Sequence, residues 1–343
     1  MKERDYTLDA MRIIACVMVI LMHSPMPNSG MSGMLAVSTT MLTMPCIGLF
    51  FMVSGHLLFP VRMPMREFLR KRLNKVVWPT VAFSLFYIII NAIVDDGFNI
   101  AKLSYQVFSI PFSTQGHGIL WFMYVMIGLY LISPIISPFL ESASKQELQL
   151  LLILWGVTLL WPYLQMVVSV NSGIDSMLHY YCGYAGYFVG GYYLKRFPVK
   201  VHPLALAFLV AMPFGLYLCF KIAGLETGFT TTFSYLSLPI VLMTFACHQL
   251  VIQYINIAKA THFIKHLIKD FSNCSFGIYL IHIFIMRRVV WEFDFIKNTP
   301  PILQIILTTI LTIVISWAVI HMLSYAPFSK YIIGYNRNIK QKL

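Results

Sequence analysis

Residues able to do chemistry are sparse in this sequence, since only 11% of its 343 residues are charged and 58% are hydrophobic. The first concentration is Asp9, Arg12 and His23, set in an otherwise apolar run. Arg12 and His23 are eleven positions apart, and at about 100° per residue that is within roughly 20° of three full turns. On a helix they share one face, with about 16 Å between them along the axis. Asp9, three residues before Arg12, falls on the same side and can hold the guanidinium as an i,i+3 pair. An imidazole with an ordinary pKa of about 6.5 suits the removal of a hydroxyl proton. Plainer readings exist, in which Arg12 snorkels to lipid headgroups and His23 is a boundary histidine bonded to a neighbouring helix. Neither explains why both stand on one stripe.

A second concentration is the segment Arg62 to Lys75, read as a basic loop whose core is Arg70, Lys71, Arg72, Leu73, Asn74 and Lys75, leading into Trp78 and Pro79. Such a cluster either binds anionic lipid headgroups or grips the phosphates of a soluble ligand, for which arginine offers a planar fork of donors. Two further histidines qualify. His117 precedes Trp121 in an outer segment, as a solvated anchor or as part of a site. His282 lies near mid-membrane, where an unpaired imidazole is costly, so it must have a partner, structural or catalytic. The tyrosines from Tyr180 to Tyr193 read as packing and interfacial belt. The six cysteines fall in or beside apolar runs without CxxC spacing and read as buried small hydrophobes; no metal site is expected.

The elements that must position these groups are membrane helices. Apolar runs of about 17–25 residues, the length needed to cross about 30 Å of hydrocarbon, fall at 8–24, 34–59, 76–94, 118–138, 148–168, 177–195, 201–221, 232–254, 272–288 and 302–324. The expected fold is all-α, a polytopic transmembrane bundle of about ten spans. With both termini placed in the cytoplasm, twenty lysines and arginines gather on that face, and Lys102, Lys221, Arg287, Arg288 and Lys297 on the other. This is the positive-inside bias, which accounts for the net charge of +12 and leaves no call for nucleic acid as a partner. The first run has no small-residue cleavage site after it and reads as an uncleaved helix. Residues 1–343 are expected to form a single membrane-embedded domain, without internal repeats.

Taken in order, several segments resemble the acyltransferase 3 family of membrane acyltransferases. They are Leu8-Asp9-Ala10-Met11-Arg12 with His23 following; Phe50-Phe51-Met52-Val53-Ser54-Gly55; Lys71-Arg72-Leu73-Asn74-Lys75 with Pro79; His117 to Trp121-Phe122, then Gly128-Leu129-Tyr130; and Ser275-Phe276-Gly277-Ile278-Tyr279-Leu280-Ile281-His282. The arginine-to-histidine spacing is the most specific of these. Two departures stand out: Lys75 replaces a second arginine, keeping the charge but losing the fork, and Gly118-Ile119 is inserted between His117 and Trp121. The soluble hydrolase-like domain that some relatives append is not expected from these residues.

The resemblance implies transfer of an acyl group, usually acetyl from acetyl-CoA, to a hydroxyl of a cell-envelope or exopolysaccharide sugar or a lipid-linked glycan, in the cytoplasmic membrane. On that reading His23, Arg12 and Asp9 are catalytic, with His23 the general base. Arg70, Arg72 and Lys75 hold CoA phosphates, and His117, Trp121 and His282 contact the acceptor. Acetyl-CoA is then a co-substrate, no cofactor is permanently bound, and membrane lipid surrounds the bundle. The residues alone leave other readings open: a transporter or flippase of lipid-linked sugars with Arg12 and His23 lining the path, or a structural subunit of a polysaccharide assembly.

Overall fold

The computed structural model describes residues 4–27, 33–94, 99–114, 118–168, 176–225 and 232–338. Among them there are helices and no strands. In chain order the helices are α1 (Tyr6–His23), α2 (Gly33–Thr43), α3 (Pro45–Leu58), α4 (Met65–Val94), α5 (Ile100–Ser109), α6 (Trp121–Ser142), α7 (Lys145–Thr158), α8 (Trp161–Val167), α9 (Ala185–Arg196), α10 (Pro203–Ile222), α11 (Leu238–Tyr254), α12 (His262–Arg288), α13 (Asp294–Lys297), α14 (Pro301–Leu323) and α15 (Ser329–Ile332). Seven of these segments are long and apolar enough to cross a membrane, α2 and α3 counting as one. The bent pair α7–α8, with 42° between its parts, makes an eighth. The two remaining expected spans correspond to the shorter helices α9 and α11.

The sequence sets these boundaries locally. The Asp5 carboxylate accepts hydrogen bonds from the Thr7 and Leu8 amides and so starts α1. Ser144 and Glu147 form a reciprocal capping box at α7. One expectation is corrected here. The basic segment is a loop only as far as Pro64; from Met65 it is the N-terminal part of α4, so Arg66, Arg70, Arg72 and Lys75 stand on a helix. Leucine, arginine, lysine and glutamate are good helix formers, and nothing between Met65 and Lys75 breaks the run. Likewise α12 begins at His262, ten residues before the expected span, with the Thr261 hydroxyl accepting from the Ile264 amide.

Helix α1 is the centre of the bundle, packed against α2, α3, α11, α12 and α14. That placement lets a helix with an aspartate and an arginine sit in the membrane, because its polar stripe faces protein. Around it α3 packs on α9 and α11, α4 on α6, α10 on α11, and α12 on α14. The α3–α9 contact is backbone against backbone: a Cβ on Gly55 would collide with the Phe188 carbonyl, and one on Gly191 with the Met52 carbonyl. Glycine at these two positions lets the backbones touch, as small residues do between membrane helices. The Phe50 to Gly55 segment is thus a packing device, and Phe51 delivers its ring to Phe122 and Tyr184 beside the site.

Candidate active site

On α1 the residues Asp9, Arg12, Cys16, Val19 and His23 follow one another at three- and four-residue steps, which is one face of a helix. Asp9, Cys16 and Val19 are buried along that face. The stripe ends in two different places.

At its first end Asp9 is the hub. Its carboxylate pairs with Arg4, accepts a 2.7 Å hydrogen bond from the Ser272 hydroxyl of α12, and lies 3.6 Å from the Arg12 guanidinium. Arg4 reaches on to the Asn273 side chain at 3.1 Å. Arg12 is therefore held from below by Asp9, as the i,i+3 spacing predicts. Helix α4 brings Arg72 and Lys75 to the same place. The positive groups whose fields act on Lys75 are Arg12, Arg72, Arg4 and Lys330 of α15. Arg72 and the Tyr130 ring of α6 also lie within the field of Arg12. Burial leaves the Arg72 Nε with no hydrogen-bond partner among the described residues. Arg70 does not join this group: two residues from Arg72 and five from Lys75, it is about 200° and about 140° round the helix from them. Cations converging from four segments, with donors unspent, make a platform for an anion rich in oxygens, phosphate above all.

At the other end His23 opens on a cavity of about 260 Å³. Its walls are Val19, Met22 and His23 of α1, Cys46 and Ile47 of α3, Trp121 and the preceding Gly118 and Ile119, Tyr235, and Tyr279 and His282 of α12. The imidazoles of His23 and His282 lie 5.7 Å apart, centre to centre. His282 is fully buried, and its Nδ1 is 2.6 Å from the Tyr279 carbonyl oxygen. That carbonyl is the partner the buried histidine requires; beside the last residue of α1 and six residues from the end of α12, His282 does not stand at the middle of its helix as expected. Trp121 is fixed between Tyr184 and Tyr235, at 5.5 Å and 5.6 Å. Tyr279 donates its hydroxyl hydrogen to the Ile119 carbonyl at 3.0 Å, and Tyr235 donates to the Met22 sulfur at 3.2 Å. Aromatic faces with a base among them suit a neutral, hydroxyl-bearing ring.

The expected site residues thus divide. Asp9, Arg12, Arg72 and Lys75 are together at the first end; His23, Trp121 and His282 are together at the second; Arg70 belongs to neither, and His117 lies outside the described residues. The cavity runs inward as far as Val19 and does not reach Arg12, because Cys16 is packed into the core between them. Sequence reasoning missed Arg4, Lys330, Ser272, Tyr235 and Tyr279. Arg4 and Lys330 were visible only as topology charges, and nothing local marks Ser272 or Tyr235 as neighbours of α1. Tyr279 had a signal, since it stands three residues before His282 and so on the same helix face.

A second cluster lies beside the first end. Asp270 of α12 accepts hydrogen bonds from His321 and Trp317 of α14 and pairs with Arg337 at 2.9 Å, with Cys274 close by. Arg337 also stands 3.1 Å from the His321 ring nitrogens. A guanidinium already holds these groups, so they tie the chain after α14 to the bundle.

No curated relative and no solved structure matches the chain. The acyltransferase 3 family model, described as an acyltransferase domain, matches residues 5–321, which takes in both ends of the α1 stripe. With that match across nearly its whole length, the chain belongs to the acyltransferase 3 family and is a multi-pass membrane acyltransferase.

Proposed function

We propose that this enzyme transfers an acetyl group from cytoplasmic acetyl-CoA to a hydroxyl of a cell-envelope or exopolysaccharide sugar, from its place in the cytoplasmic membrane. The observation that carries this reading is the division of one helix face between a cationic platform and a neutral, aromatic chamber with histidines in it. Arg4, Arg12, Arg72, Lys75 and Lys330 hold the phosphates of CoA. The pantetheine arm then follows the stripe, and the roughly 16 Å from Arg12 to His23 is the distance it must cover. Cys16 and Val19 form a waist on that route, which parts to admit the arm.

In the chamber His23 removes the proton of the acceptor hydroxyl as the oxygen attacks the thioester carbonyl. The C–S bond breaks, the sulfur departs with the electron pair, and His23 returns the proton to it. Trp121, Tyr235 and Tyr279 bind the sugar ring and keep bulk water from the thioester. A chamber of about 260 Å³ takes the reacting hydroxyl, its ring and the acetyl end of the donor, so a polymer or lipid-linked acceptor stays outside.

Mass spectrometry of envelope glycans from a deletion strain, complemented by wild type or by His23→Ala, tests this. The expected result is loss of an acetyl mass on deletion, restored by wild type alone. Unchanged acetylation in the deletion strain refutes the proposed acceptor class. Loss of the whole glycan from the surface, with no acetyl ever attached, supports sugar transport instead.

A further inference from the structure

Building on the reading that His23 is the base, we propose that His282 is its positioning residue, in a relay running from the Tyr279 carbonyl through His282 to His23. The relay fixes which nitrogen of His23 carries its hydrogen and shares the positive charge that forms there. His282 Nδ1 lies 2.6 Å from a carbonyl oxygen. A carbonyl only accepts, so Nδ1 carries the hydrogen, and Nε2 of the neutral ring is left as an acceptor. Among the described residues that Nε2 is buried without a hydrogen-bond partner, a state that costs free energy unless a donor reaches it.

The donor is His23. The two rings are neighbours at 5.7 Å, inclined by 41°, and both line the same cavity. Tyr279 lies equally near His282, at 5.7 Å, but its hydroxyl is committed to the Ile119 carbonyl. Arg287, further along α12, is the charged side chain whose field reaches both rings, and no carboxylate acts on either among the described residues. A second imidazole anchored to the backbone therefore stands where an acid–base pair elsewhere has a carboxylate behind its histidine. With one His23 nitrogen giving its hydrogen to His282 Nε2, the other is an acceptor turned to the cavity.

The step balances. The acceptor proton moves to the cavity-side nitrogen of His23 as the new C–O bond forms. The imidazolium leans on His282 through its other N–H, and the thiolate released when the C–S bond breaks takes the proton back. Hydroxyl and thioester become ester and thiol, and His282 ends as it began.

The test uses purified protein in proteoliposomes, acetyl-CoA as donor, glycan extracted from the envelope of the producing cells, and release of CoA thiol as readout. His282→Ala should lower kcat on the order of 10²-fold, the low end for acid–base groups, while KM for acetyl-CoA changes less than about twofold. His282→Gln, whose amide oxygen can accept from His23, should recover roughly tenfold of that loss. His23→Ala combined with either change should be no slower than His23→Ala alone, because residues acting as a unit are not additive. Wild-type kcat in both His282 variants overturns the relay. So does a double variant slowed by the product of the single effects, the mark of a structural role. Should His282→Ala unfold, the non-additivity of His282→Gln with His23→Ala decides the matter. The outcomes separate the two proposals: a wild type that releases no CoA refutes the acetyl-transfer reading, whereas a working wild type with active His282 variants refutes the relay alone.

Discussion

The two ends of α1 are built from opposite materials. At the first, Arg4 and Arg12 pair with Asp9, and Arg72 and Lys330 stand with them within the field of Lys75. At the second, none of the described residues lining the chamber is an aspartate, glutamate, lysine or arginine; their polar groups are imidazole, phenol, indole and thiol. Charges are tolerated in a bundle where they are paired or reach water, and both conditions hold at the first end, where Arg4 and Arg12 are about one-third exposed. On the proposed function the two ends serve different substrates. On that reading fixed positive charge serves an anionic carrier, and at the second end Arg287, whose field reaches both imidazoles, favours their neutral, proton-accepting form.

Substitutions that keep one end and damage the other sharpen that contrast. The largest expected effect is His23→Ala, which should cut kcat by about 10³-fold with acetyl-CoA affinity kept, since general-base catalysis contributes about 10²–10⁴-fold; a comparable loss of affinity would dissolve the distinction between the ends. Next is Asp9→Asn. It leaves Arg4 and Arg12 without their counter-charge and should lower unfolding stability by about 2–3 kcal/mol, below the 3–5 typical of a fully buried pair because both arginines are partly exposed. Thermal unfolding in detergent measures it.

Removing a charge-assisted donor from the platform costs about 1.5–3 kcal/mol. Arg72→Ala should therefore raise KM for acetyl-CoA by roughly 10- to 100-fold while KM for the acceptor stays near its wild-type value. Trp121→Ala should do the reverse on a smaller scale, weakening the acceptor about tenfold through the loss of an aromatic face. Smallest is Arg70→Ala, on the wrong side of α4, for which steady-state kinetics should show a change under about twofold. A large effect there would mean that the platform wraps further round α4 than Arg72 and Lys75.

The bundle was legible in the sequence because the bilayer imposes one length and one polarity on every crossing, and the α1 stripe because a helix has one period. Arg12 above Asp9, and His23 on the same face, follow from position alone. What was hidden depends on which helices become neighbours. The charge density of the Arg62 to Lys75 segment suggests a loop, but its residues are helix formers, and continuing α4 to Met65 is what selects Arg72 and Lys75 and turns Arg70 away. Trp121 and His282 could be singled out, yet only packing shows that they share a chamber with His23. Arg4 and Lys330, far apart in the chain, looked alike as topology charges until α15 folded against α4.

On the proposed function donor and acceptor reach one reaction from opposite ends of α1. Sealed proteoliposomes of known protein orientation, given labelled acetyl-CoA on one side and envelope glycan on the other, test it most directly. Label should appear on the glycan only when acetyl-CoA is on the side of Arg12, Arg72 and Lys75, and His23→Ala should abolish it. Equal labelling with acetyl-CoA on either side, or glycan crossing the membrane while every acetyl group stays on CoA, would rule out transfer between the two ends.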